Sequence, residues 1–138
     1  YLTTKQPIFE NDALVAIAVV SNALGTPAAL GAEHPLRPVV AYIREHLAEA
    51  IGVDELADLA QLPLRQFERL VRRTFGMPTK HYISQVRVLA AMELLRSTAT
   101  TLSEIAVTCG WYDQSAFSKQ FTRIAAMTPG EYRRRYQD

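Results

Sequence analysis

The sequence predicts a mainly all-α fold: two helix-turn-helix subdomains joined by a long linking helix and preceded by a short β-hairpin remnant. Three observations predict it. From residue 39 onward apolar residues recur at helical spacing in one segment after another, with breakers between the segments. The second half of this region repeats the first at an offset of 50: Phe67 matches Phe117, Arg69 matches Lys119, Arg73 matches Arg123, Met77 matches Met127 and Tyr82 matches Tyr132. Charge is also segregated along the chain. Residues 1–64 hold three basic and eight acidic side chains, and residues 65–135 hold twelve basic and five acidic, so the formal net charge of +1 conceals a balance of −5 followed by +7. Such asymmetry points to a half that faces a polyanion.

Residues 1–21 are rich in Thr, Ile and Val, and two readings of them stand. In one, 2–9 and 13–20 are strands of a hairpin around Asn11 and Asp12. In the other, Asn11 or Asp12 caps a helix that runs through Leu24 and ends at Gly25. Crowding of β-branched side chains favours the hairpin. A hairpin alone is marginal, so it is expected to be the end of a domain truncated upstream; the chain opens on Tyr1, in mid-pattern. Residues 22–38 contain Pro27, Pro35, Pro38, Gly25 and Gly31 and read as a linker. The region 39–138 then forms the helical domain. Its first helix spans 39–50, with Val39, Val40, Ile43 and Leu47 as its apolar stripe. A short helix over 54–60 carries Asp54 and Glu55 in its first turn, where they suit the helix dipole. The next runs 65–75 and stops at Gly76 and Pro78. The longest covers about 79–96, with Tyr82, Ile83, Val86, Leu89, Ala90 and Leu94 on one side. Thr101 and Glu104 make a capping box that opens a short helix to Cys109. Gly110 breaks it, Asp113 caps a further helix to about Ala125, and 131–135 add a final turn.

The repeat has a definite grammar. Upstream of the matched helices the offset becomes 49, where Leu56-Ala57 meets Ile105-Ala106, so one residue is inserted between the two helices of the second copy. Each copy, about 54–75 and about 102–125, reads as a short helix, a tight turn and a helix of about eleven residues. That is the pattern of a helix-turn-helix, whose second helix enters the DNA major groove. In the first copy Arg65, Arg69, Arg72 and Arg73 lie off the Phe67, Leu70, Val71 stripe. In the second, Gln114, Ser115, Ser118 and Lys119 take the equivalent face. Major-groove geometry favours Arg on guanine and Gln on adenine. Two plainer readings stay open at this point: a solvated arginine-rich helix face, and a helical module that docks on a protein partner.

Other chemistry finds little support. The single Cys109 cannot form an internal disulfide framework or a multi-thiolate zinc site, and it fits a reducing, cytoplasmic setting as a small core filler. His34, His46 and His81 lie on different elements, so no metal is expected. No Gly-rich phosphate loop or nucleophile–base pair is visible, so neither a cofactor nor enzymatic activity is expected. No apolar run reaches the roughly eighteen residues that a membrane span needs. Trp111 is expected in the core because its counterpart is Leu62. Tyr112 and the basic run Arg133-Arg134-Arg135 are candidates for phosphate contacts.

These residues closely resemble the DNA-binding domain of AraC/XylS-type transcription regulators. The most specific stretch reads Ile105-Ala106, Cys109-Gly110-Trp111, Asp113-Gln-Ser-Ala-Phe-Ser-Lys-Gln-Phe121, Thr128-Pro129 and Tyr132-Arg133, and the linking helix fits through Arg87, Ala91, Leu94 and Leu95. The resemblance covers 39–134. It implies a sequence-specific regulator, an activator of the AraC family, that reads two successive major grooves of double-stranded DNA with two recognition helices. By the same resemblance Arg65, Gln66, Glu68 and Arg69 approach bases from the first recognition helix, and Gln114, Ser115, Ser118 and Lys119 from the second. Arg72, Arg73, Thr122 and Arg123 are better placed for phosphates. Glu68 has two readings, a contact to a cytosine amino group or an i,i+4 ion pair with Arg72. Two departures stand out. Pro63-Leu64 replaces the usual Ser-Pro, which removes a side-chain cap, and Ala126 replaces a usual glycine. Residues 1–21 are in turn similar to the closing hairpin of PAS-type sensor domains. That similarity implies an upstream sensor with its own small-molecule effector, while the resemblance to the regulator family implies RNA polymerase as a further partner.

Overall fold

The computed structural model describes residues 30–137, so both readings of residues 1–24 lie outside the described residues. Seven helices and no strand are found among the described residues: α1 Arg37–Glu45, α2 Val53–Ala60, α3 Leu64–Phe75, α4 Thr79–Ser97, α5 Leu102–Thr108, α6 Gln114–Ala125 and α7 Pro129–Tyr136.

The first helix is shorter than the apolar stripe predicts. It ends at Glu45, where the His46 N–H bonds to the carbonyls of Tyr42 and Ile43, and Leu47 packs from the following loop instead. The proline-rich stretch before it contributes to the fold, because Leu30 and Leu36 are both buried in the core. The last helix is longer than predicted. Thr128 caps it by accepting from the Glu131 N–H at 3.1 Å, while the Thr128 N–H donates to Glu131 Oε1 at 2.9 Å. With Pro129 in the first turn, this second capping box starts the helix two residues early and gives it eight residues rather than one turn.

The repeat is exact in helix length: α3 and α6 each have twelve residues and are offset by 50 at both ends. The preceding turns also repeat. Leu62 N–H bonds to the Ala57 carbonyl at 3.1 Å, and Trp111 N–H to the Ala106 carbonyl at 2.8 Å. These are the backbone closures of a Schellman-type helix end, and each turns on a left-handed residue, Gln61 at φ 58° and Gly110 at φ 100°. The extra residue of the second copy is Tyr112, which lies 93% exposed between buried Trp111 and the cap Asp113.

Two cores result. The first joins α1, α2, α3 and the first half of α4 around Val40, Ile43, Leu56, Phe67, Val71, Tyr82 and Val86. The second joins the rest of α4 to α5, α6 and α7 around Val88, Met92, Leu95, Ile105, Phe117, Phe121 and Tyr132. A single apolar side along α4, as predicted, is therefore corrected. Leu89, Ala90 and Leu94 are only partly buried, and the second core takes Val88, Ala91, Met92 and Leu95. The helix buries different faces in its two halves because it serves a core on each side.

Candidate nucleic-acid interface

Each recognition helix is held by an aromatic-rich buried stripe that leaves the opposite face outward. In α3, Phe67, Val71 and Phe75 are buried, and Phe75 stacks on Tyr82 of α4 with ring centroids 4.1 Å apart. In α6, Phe117, Phe121 and Ala125 are buried; Phe117 meets Trp111 at 4.8 Å and Phe121 meets Tyr132 at 5.7 Å. Trp111 is in the core as expected, and its indole N–H donates to Gln120 Oε1 at 2.9 Å. Anchors at i, i+4 and i+8 fix the rotation of each helix about its axis.

The outward faces carry the residues singled out above. Arg65, Gln66, Glu68, Arg69, Arg72 and Arg73 are all exposed on α3. On α6, Gln114, Ser115, Lys119, Thr122 and Arg123 are exposed and Ser118 is half-buried. No ion pair joins Glu68 to Arg72, so of the two readings of Glu68 the i,i+4 pairing is corrected: both side chains are exposed. The N-terminus of α3 has no side-chain cap, since Pro63 occupies the cap position rather than the first turn. At α6 Asp113 Oδ1 accepts from the Ala116 N–H at 2.8 Å. Both helices end in a left-handed residue, Gly76 at φ 76° and Ala126 at φ 64°.

Three roles were not visible in the sequence. Ser103 of α5 donates its hydroxyl to Gln114 Oε1 at 3.0 Å, which orients the amide at the start of α6. Arg133 is committed to structure rather than to phosphate: Nε donates to the Leu95 carbonyl at 3.2 Å and Nη2 to that of Thr98 at 3.0 Å, closing the C-terminal end of α4. Arg87 bonds across 38 residues to the Glu49 carbonyl. All three are contacts between elements far apart in sequence, for which no local pattern exists.

Among the described residues no group of three or more His, Cys, Asp or Glu side chains is arranged to hold a metal ion. His34 Nδ1 accepts from the Leu36 N–H at 3.1 Å, and His46 stacks on Tyr42 with centroids 4.0 Å apart. Cys109 is buried, and burial pushes its thiol up to about 11, out of reach of the thiolate form at neutral pH. No helix among the described residues is long and apolar enough to cross a membrane.

A family of helix-turn-helix domains matches residues 56–135. The chain is 35% identical over 98 residues to the HTH-type transcriptional activator RhaR of Yersinia pseudotuberculosis, covering 71% of this chain and 34% of that protein. It is 32% identical over 98 residues to the HTH-type transcriptional activator RhaS of an Enterobacter species, covering 71% and 35%. The chain thus spans about a third of the length of the curated relatives it matches. Among solved structures it is similar to the DNA-binding domain of AdpA, a global transcriptional factor in complex with a target DNA. That match has 34% identity and a TM-score of 0.69 over 74% of this chain and 92% of the other. An AraC-type regulator from Chromobacterium violaceum superposes with a TM-score of 0.72 at 25% identity, over 77% and 95%.

Proposed function

The chain belongs to the AraC-type helix-turn-helix family of DNA-binding transcription regulators, and from that premise we propose how it reads its target. Helix α3 enters one major groove and α6 the next on the same face of the duplex, about 34 Å further along. Arg65, Gln66, Glu68 and Arg69 face base edges in the first groove, and Gln114, Ser115, Ser118 and Lys119 in the second. Arg72, Arg73, Thr122 and Arg123 lie on the flanks and hold phosphates, which set position without specifying sequence. The observation that supports this most is the repeat itself. Two twelve-residue helices with matched buried anchors turn hydrogen-bonding side chains outward at matched positions.

The reading extends to the whole regulator, within which residues 39–138 are the DNA-binding domain. Residues 1–21 end a PAS-like sensor that answers to a small-molecule effector, 22–38 join it to the DNA-binding part, and the bound regulator activates transcription in the cytoplasm through RNA polymerase. Its role is recognition rather than catalysis.

Selection of bound duplexes from a random pool tests the proposal. The expected product is one site of about twenty base pairs with two conserved halves. Arg69→Ala is expected to relax base preference in one half and Gln114→Ala in the other, by about 1–3 kcal/mol at the base concerned. Recovery of no preferred sequence, or a uniform loss with both variants, rejects direct readout and favours a protein-docking module.

A further inference from the structure

Arg87 stands at the border between the two cores, after Val86 of the first and before Val88 of the second. Its Nη2 donates to the Glu49 carbonyl at 2.9 Å, in the loop between α1 and α2. Its Nε is buried and finds no hydrogen-bond partner among the described residues. Burial lowers its pKa from the ordinary arginine value. Taking part of a guanidinium out of water is costly, so this placement needs a compensating contact.

The Glu49 carbonyl supplies that contact to Nη2, and Gly110, in the turn of the second helix-turn-helix, packs closely against the same guanidinium. A Cβ at Gly110 would lie 2.0 Å from the Leu47 carbonyl oxygen and 2.6 Å from Arg87 Nε. The turn of the second unit therefore lies directly against the loop of the first, with the Arg87 guanidinium closing the junction. The first copy serves as an internal control. Its equivalent residue, Gln61, also has a left-handed backbone at φ 58° yet keeps a full, exposed side chain. A left-handed turn thus accepts a side chain in this setting, and the glycine at 110 answers to the close approach as well as to its φ of 100°.

We infer that Arg87 and Gly110 fix the distance and rotational phase between α3 and α6, and through them the half-site spacing that the chain accepts on DNA. Arg87 is then a positioning residue that touches no base. The inference rests on the two-groove reading proposed above. Two linked binding heads reinforce each other only where the linkage matches the span, and a stiff linkage confines that match to one spacing. Adding one base pair moves the second half-site by about 3.4 Å and turns it about 34° around the duplex axis, which a locked junction cannot follow.

The test measures binding of the whole chain by fluorescence anisotropy. The duplexes hold the two selected half-sites at their native spacing, with one base pair removed, with one base pair added, and with either half scrambled. Wild type is expected to lose about tenfold or more on either change of spacing. Arg87→Met is expected to keep its affinity for each single half-site, while the spacing penalty falls to about threefold or less. Arg87→Lys keeps the stem and charge and carries the comparison should Arg87→Met lose its helical circular dichroism. A folded variant that retains the full wild-type spacing penalty overturns the inference, as does a variant that loses affinity equally at every spacing. Wild type indifferent to scrambling of one half overturns the two-groove reading itself.

Discussion

At the scale of single residues, the two ends of the recognition helices form a matched experiment. Gly76 and Ala126 both adopt left-handed backbone, and a Cβ built at Gly76 meets nothing within 4 Å. The cost of a side chain there is conformational alone. Ala126→Gly is expected to stabilise the chain by about 1 kcal/mol and Gly76→Ala to destabilise it by a similar amount, read as opposite shifts of the urea midpoint at constant slope. The buried tyrosines make a pH prediction. Burial pushes the hydroxyls of Tyr82 and Tyr132 up to about 12 from 10.0. The folded state favours their neutral form, so this contribution is fully present below pH 10 and is lost as pH rises toward 12. Chemical unfolding followed between pH 8 and 11.5 is expected to show stability falling from about pH 10. Replacing both tyrosines by Phe is expected to flatten that fall.

At the scale of elements, capping separates the two recognition helices. α6 begins on an Asp113 cap, whereas α3 begins on Pro63 without a side-chain acceptor. Asp113→Ala is expected to cost about 1 kcal/mol of stability, with the loss in hydrogen-exchange protection concentrated in the first turn of α6. Local signals of this kind made much of the fold legible in the sequence. The Thr101–Glu104 box, the Asp113 cap, the Gly76 stop and the offset of 50 place α3, α5 and α6 within a residue or so. The same chemistry at Thr128 and Glu131 is harder to read from sequence, because the Thr-Pro pair reads as a helix end as readily as a start. The two faces of α4 were illegible for another reason: which face a helix buries depends on neighbours that a linear pattern does not contain. The outward face of α3 was legible because its apolar anchors are regularly spaced. Ser103, Arg133 and Arg87 were not, because their partners lie 11, 35 and 38 residues away.

At the scale of the whole molecule, the near-neutral total hides a working asymmetry. The −5 balance belongs to residues 1–64 and the +7 balance to residues 65–135, which hold both recognition helices. Binding is therefore expected to weaken steeply with salt, by counterion release from the neutralised phosphates. Arg73→Ala is expected to weaken all sequences alike and to lower the slope of log affinity against log salt by about 1, measured on the selected site and on a random duplex. A slope unchanged by Arg73→Ala would remove that residue from the phosphate set. The seam between the cores has a consequence for inheritance. Each core is completed by its own half of α4, and the dividing line falls between Val86 and Val88. A crossover between two related genes at that point hands each parent's core over whole, so reading heads can be recombined without rebuilding either interior. Arg87 and Gly110, at the seam, have to suit both parents: both stay with one half of the hybrid, and the Glu49 and Leu47 carbonyls they meet come with the other.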